Sequence, residues 1–435
     1  MKPALLFLVA CVALAQWTAP TLAQPKSSTA KLLQRAGSIA KKVSKIRGLP
    51  IKHRIKRGVM TKAQIRKRLL KRLGEEYSPK QLAAEELAMK RLGLLPEKMN
   101  YKDTVIKMFT NNIAGFYDPA DKKLYIAGWS TKGLAMQADA VMAHEIDHAL
   151  QDQTFNLDKF MKGVKANGDA TVARQALVEG DGMVLMIEYA MNGMNPWTNP
   201  AMMKMMMPQL RSGMRAQMST MKNTPLVLRE GMIFPYMAGM QFVVHFRRHN
   251  KWKRIDRIYR KPPLSTEHIL HPKKYVNYER PDTITPRRIS TLKGYEKVHK
   301  NITGELGLAI FLRQHGVPTA KANAAAAGWG GDTTVLYAPR GHRGTVAGSI
   351  GIIATVWDND KQAIEFMEAL THAMPKLSKG RKLNSDTKLV HYVRGNQAFV
   401  AKRIGDRVNI VLGAAPHRAA QLVGQISRRW RVRRR

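Results

Sequence analysis

The sequence is short of cysteine, of acidic residues in its first part, and of long apolar runs, and each shortage excludes something. Cys11 is the only cysteine in 435 residues, so the chain forms no internal disulfide and offers no cysteine-ligated metal site. Between Gln24 and Gly74 there are many Lys and Arg residues and not one Asp or Glu. That stretch cannot neutralise itself, and the whole chain carries a formal charge of +42. Beyond the N-terminus no stretch is long and apolar enough to span a bilayer. Stability must come from ordinary burial, and the length suffices for two or three domains with cores of their own.

What is present begins with a leader. Residues 1–23 read as a secretion signal: Lys2 supplies the charge, 4–15 the apolar run, and Thr21-Leu22-Ala23 the small residues before a cleavage point at Gln24. A retained anchor is one alternative. Lipidation is another, because Leu8-Val9-Ala10-Cys11 looks like a lipobox, although Cys11 lies early and the apolar run continues past it. In each case the chain leaves the cytoplasm, and the expected location is secreted or periplasmic. With Cys11 removed, no thiol nucleophile would remain.

The charge points to anionic partners such as nucleic acid, acidic cell-wall polymers, sulfated glycans or acidic proteins. It could equally be a bulk property with no dedicated partner. No nucleic-acid-binding motif accompanies it. Residues 24–46 are expected as a basic arm, mobile or loosely helical, and 429–435 as a basic tail closing on Arg433-Arg434-Arg435.

Between these ends the sequence predicts an α+β protein: a mainly helical catalytic region over 47–330, with a small β-hairpin, and a C-terminal α/β module over 331–428. Thr61 with Gln64, and Ser78 with Pro79 and Gln81, each make a helix N-terminus with a capping box. Helices are predicted over 62–73, 79–93 and 101–112. Segments 113–117 and 123–127 flank Asp118-Pro119-Ala120-Asp121 and read as a hairpin. Helical periodicity returns over 134–153, 170–191 and 228–248. The methionine-dense stretch 194–221 reads as core or lid packing before a substrate groove. From 333 onward, strands alternate with helices over 361–373 and 416–426.

The strongest chemical signal is His144-Glu145-Ile146-Asp147-His148. Imidazoles at i and i+4 share one helix face and can converge on one ion. Zinc accepts imidazole nitrogen and needs a third protein ligand plus an open position for water. Glu145, beside the first ligand, could take a proton as water attacks a carbonyl and pass it to the leaving amine. The bland reading is an amphipathic helix with two satisfied histidines. Val141, Met142, Ile146, Ala149 and Leu150 weigh against it, because they imply burial, and buried polar groups need partners.

Glu179 is the candidate third ligand. Stepping by three and four gives Val172, Ala176, Glu179, Met183 and Met186 on one face, where a lone carboxylate is costly unless it meets a cation. A buried ion pair with an arginine is the competing reading. Gly180 and Gly182 would let helices approach closely. Asp181, about 200° round the helix from Glu179, could orient a ligating histidine through its other ring nitrogen. Asp147 reads as a solvated or helix-edge residue.

On these residues the chain resembles the gluzincin clan of zinc peptidases, with its HExxH and a glutamate on a following helix. More narrowly, it is similar to an uncharacterised group of secreted bacterial proteins of metallopeptidase type. Besides the HEIDHALQDQ run and 176–181, the resemblance is carried by 115–119, Pro262 to Pro272 and 326–332. It implies Zn2+ held by His144, His148 and Glu179, Glu145 as base, and a peptide or protein substrate. It also implies an edge strand that holds extended peptide by backbone pairing, either 123–127 or 113–117. Asp147 departs from the clan's usual apolar or Thr residue, and Glu179 follows at a longer spacing. Candidates for stabilising an oxyanion are His268, His271, Tyr275 and Tyr236, with His271 preferred. The rival from another class is an inactive, zinc-containing scaffold that binds anionic polymers through its basic surface.

Overall fold

The computed structural model describes residues 9–12, 29–127, 135–164, 166–221, 223–249, 251–341 and 344–434. Most of the expected secretion signal lies outside the described residues. Its one described piece, Val9–Val12, is a strand.

The basic N-terminal segment is no loose arm from Thr29 onward. Thr29–Arg47 is a helix whose Ala36, Ile39, Ala40 and Val43 are buried, at a spacing that stacks them on one face. Its charged residues point elsewhere, and the apolar face packs on the helix Ala135–Phe155. Arg47, the last residue, is itself fully buried.

A four-stranded sheet follows, in the order Val9–Val12, Ile113–Asp118, Lys123–Ala127, Lys56–Met60. The predicted hairpin is there. Its turn is held by Asp118, which accepts from the Ala120 amide at 3.0 Å and from Arg68 at 2.8 Å. Lys123–Ala127 is paired on both sides, so it is not an edge. Ile113–Asp118 has Val9–Val12 of the same chain on its outer side, antiparallel.

Both capping boxes form, Thr61 with Gln64 on Lys62–Glu76 and Ser78 with Gln81 on Pro79–Arg91. The centre of the first unit is three long helices, Ala135–Phe155, Gly168–Ala190 and Leu226–Arg247. The methionine-rich Pro200–Thr220 is a helix laid against the last of these, with Met206 in the core and Met205 at 60% exposure. That is the core-packing role.

The C-terminal part is a seven-stranded antiparallel sheet: Tyr295–Asn301, Trp329–Pro339, Ile350–Trp357, Arg407–Ala414, Gln397–Ile404, Leu389–Arg394 and Arg381–Ser385. Its central strands are apolar on both faces because helices cover both. Ile353, Ile410 and Leu412 meet Gly304–Gln314 and Asp360–Ser378, while Ile352, Val356 and Val411 meet Pro416–Arg429. The sheet begins upstream of 331, since Tyr295–Asn301 is its first strand. The last residues are tied down: Trp430 is buried, Arg431–Arg433 pairs with Thr283–Thr285, and Arg434 binds Asp282 and Asp406.

Candidate metal centre

The site is built where two helices cross at glycines. A Cβ on Gly180 would lie 2.1 Å from the backbone carbon of Gly239, and one on Gly239 would lie 1.9 Å from the Ala176 oxygen. Only bare backbone allows Gly168–Ala190 and Leu226–Arg247 this approach. Gly182 serves the second neighbour, since a Cβ there would lie 2.8 Å from the His144 ring. The helix carrying Glu179 is thereby held close to the helix carrying the two histidines.

His144, His148 and Glu179 meet as a result, all with no exposed surface. The two Nε2 atoms are 2.8 Å apart, and Glu179 Oε2 lies 3.2 Å from His144 Nε2 and 3.4 Å from His148 Nε2. Bonds of about 2.1 Å in a tetrahedral set put ligand atoms about 3.4 Å from one another. The trio therefore has the span and the N, N, O donor set that zinc takes. Glu179 Oε1 is buried without a hydrogen-bond partner, a further sign that the carboxylate is placed for a cation. Burial would raise the Glu179 carboxyl, but the imidazoles of His148 and His144 outweigh it and hold the group below its ordinary value.

Glu145 is also fully buried, and its Oε2 accepts from the backbone amide of Tyr117 at 2.8 Å. That bond ties the carboxylate to the strand Ile113–Asp118. Tyr117 Oη donates to Asp152 at 2.8 Å, which fixes the strand to the same helix two turns further on.

Two expectations about neighbouring acids are corrected. Asp147 is neither solvated nor at a helix edge. It has no exposed surface, accepts from Gln151 Nε2 at 2.7 Å, and burial beside Asp181 pushes its carboxyl well up. Asp181 does not orient a histidine. It takes a two-pronged ion pair from Arg47, at 2.8 and 2.9 Å, and a hydrogen bond from Tyr259 at 3.0 Å. The N-terminal helix supplies that arginine, and no local spacing announces it.

The four oxyanion candidates separate. Tyr236 packs its ring on His144, with centroids 6.3 Å apart and planes at 24°. His268 meets the Glu279 carbonyl at 2.7 Å, and Tyr275 donates to the Lys261 carbonyl at 2.8 Å. His271, the preferred candidate, is not brought to the trio. It pairs with Glu305 at 2.8 Å, and that carboxylate raises its pKa. The pair lines a cavity of about 430 Å³ with Ile233, Phe234, Met237 and Ala238. Those residues lie on the flank of Leu226–Arg247 opposite Tyr236 and Gly239, so the helix itself separates His271 from the trio. The residue the sequence reading missed is Gln151, whose Oε1 meets His148 Nδ1 at 2.9 Å. Its position three residues after His148 was the available signal.

Among known protein families, a domain of unknown function, DUF8575, matches residues 290–423. That span covers most of the C-terminal sheet and its helices and stops short of the trio. No curated protein and no solved structure matches the chain.

Proposed function

We propose that this chain is an exported zinc peptidase of gluzincin type. The observation that carries the reading is the convergence of His144, His148 and Glu179 from two helices, with Glu145 between the histidines in sequence. His144, His148 and Glu179 would hold the ion. Bound zinc would supply a Lewis acid that polarises a peptide carbonyl and acidifies a water. Glu145, held by the Tyr117 amide, takes the proton of the attacking water and returns it to the leaving amine. Tyr236, stacked on His144, replaces His271 as the group to donate a hydrogen bond to the developing oxyanion. The outer edge of Ile113–Asp118 carries Val9–Val12 antiparallel, and extended peptide would pair there in its place. The positive field favours acidic protein substrates or an anionic surface.

A second reading has one observation in its favour. All four polar side chains are closed to solvent, as in a zinc site that only supports a scaffold for binding anionic polymers. Glu145→Gln separates the two. For a peptidase, the variant keeps stoichiometric zinc while cleavage of a proteome-derived peptide library falls about 100-fold or more. Wild-type protein beginning at Gln24 that holds zinc and cleaves nothing in the library identifies the scaffold. Absence of zinc from wild-type protein, measured beside His144→Ala, removes both readings.

A further inference from the structure

One buried side chain touches a member of the trio from behind and reaches both helices that form it. Gln151 has no exposed surface. Its Oε1 lies 2.9 Å from His148 Nδ1, and its Nε2 donates to Asp147 Oδ2 at 2.7 Å and faces the Val178 carbonyl oxygen at 3.4 Å. Asp147 lies on the histidine helix, whereas Val178 immediately precedes Glu179 on the other.

The orientation of the amide follows from these contacts. Two acceptors, a carboxylate oxygen and a backbone carbonyl, face one end of the side chain, so that end must be the NH2 group. The opposite end is then the oxygen, and it can only accept from His148 Nδ1. The imidazole must carry its proton on Nδ1 and present a bare Nε2 lone pair toward His144 and Glu179, the form a metal ligand requires. His144 differs, because its Nδ1 is buried without a hydrogen-bond partner.

The amide is itself held. Asp147, its acceptor, lies in the field of Arg47, whose guanidinium is locked by Asp181 and by Asp256 at 2.8 Å. Arg47 also stacks on the Trp252 ring with its centre 4.4 Å from the centroid. The N-terminal basic helix thus ends on a buried charge that acts on His148 through Asp147 and Gln151 in turn.

We infer that Gln151 is a positioning residue that sets the tautomer and ring angle of His148 for metal binding. The inference rests on the zinc reading of the trio and adds the residue that prepares one ligand. Gln151→Leu keeps the volume and removes the acceptor. Its zinc affinity, measured by chelator competition, should fall about 10- to 100-fold, and the visible spectrum of the Co2+ form should lose wild-type intensity and shape. Gln151→Glu restores an acceptor oxygen opposite Nδ1, with a proton shared between its second oxygen and Asp147 in place of the lost N–H, and affinity and Co2+ spectrum should return toward wild type. Far-UV circular dichroism of the metal-free proteins establishes that each variant is folded. Unchanged zinc affinity in folded Gln151→Leu, beside a wild type that binds zinc, overturns the inference. Should Gln151→Leu fail to fold, Gln151→Glu decides alone, and a Co2+ spectrum as altered as that of His148→Ala overturns it. A wild type that takes up no zinc defeats the zinc reading itself, a different result from either.

Discussion

At the scale of single residues the site depends on what is missing as much as on what binds. Gly182 stands against His144 so closely that any side chain must displace the ring. Replacement by alanine should favour the helix by about 1 kcal/mol from propensity alone. Gly182→Ala should therefore keep its helical signal yet lose about tenfold or more in zinc affinity, read by chelator competition. Wild-type affinity in this variant would show that His144 has room to move. The residue scale is also where the sequence was least legible. His144, Glu145 and His148 announce themselves by spacing, and Glu179 by its place on an apolar stripe. Asp181 cannot be placed this way, because its partners Arg47 and Tyr259 come from far away in the chain, and the burial of Asp147 depends on the same packing. Arg47 lies 134 positions from Asp181.

At the scale of elements, the start of the helix Gly304–Gln314 shows how one buried carboxylate fixes a helix to its own sheet. Asp332 accepts from the amides of Thr303 at 2.9 Å and Gly304 at 2.8 Å and from the Trp329 ring nitrogen at 3.0 Å. Burial still dominates, and it pushes the Asp332 carboxyl from its ordinary 3.8 up to about 6. The folded protein holds this proton to higher pH than the unfolded chain does. Stability fully present below pH 3.8 is thus lost as pH rises through 6, about 3 kcal/mol in all at about 1.4 kcal/mol per pH unit, of which about 2 kcal/mol falls between pH 4 and 7. Urea unfolding at pH 4 to 7 should show this fall for wild type, with that component absent from Asp332→Asn. Equal slopes in the two proteins would mean that Asp332 ionises as readily folded as unfolded. Elements of this kind were read unevenly. Helices opened by capping boxes and long periodic helices appear where the pattern predicts them. The strand Tyr295–Asn301 and the short helices Thr266–Leu270 and Pro272–Asn277 are set by packing, which periodicity over a few residues does not reveal.

At the scale of the whole molecule, the N-terminal strand and the site are connected. Val9–Val12 lies along the outer edge of Ile113–Asp118 and packs beside the histidine helix, while the trio and Glu145 are closed to solvent. Cleavage after Ala23 would remove that strand and leave the edge unpaired. On the proposed peptidase reading, a chain beginning at Gln24 should cleave peptides that the full-length chain does not, in a side-by-side assay with zinc loaded in both. Equal rates would mean that the edge is not the route by which peptide reaches Glu145. Among the described residues no helix is long and apolar enough to cross a membrane, in agreement with the hydropathy of the sequence. By itself the sequence determined the α+β composition, the long helices, the hairpin, and three groups that can meet on an ion, because local periodicity and charge cost specify these without knowledge of the fold. Only the tertiary structure decided that the basic N-terminal helix is part of the core, that Tyr236 rather than His271 packs on the trio, and that Gln151 stands behind His148. Those outcomes depend on which buried faces meet, and long-range packing alone selects them.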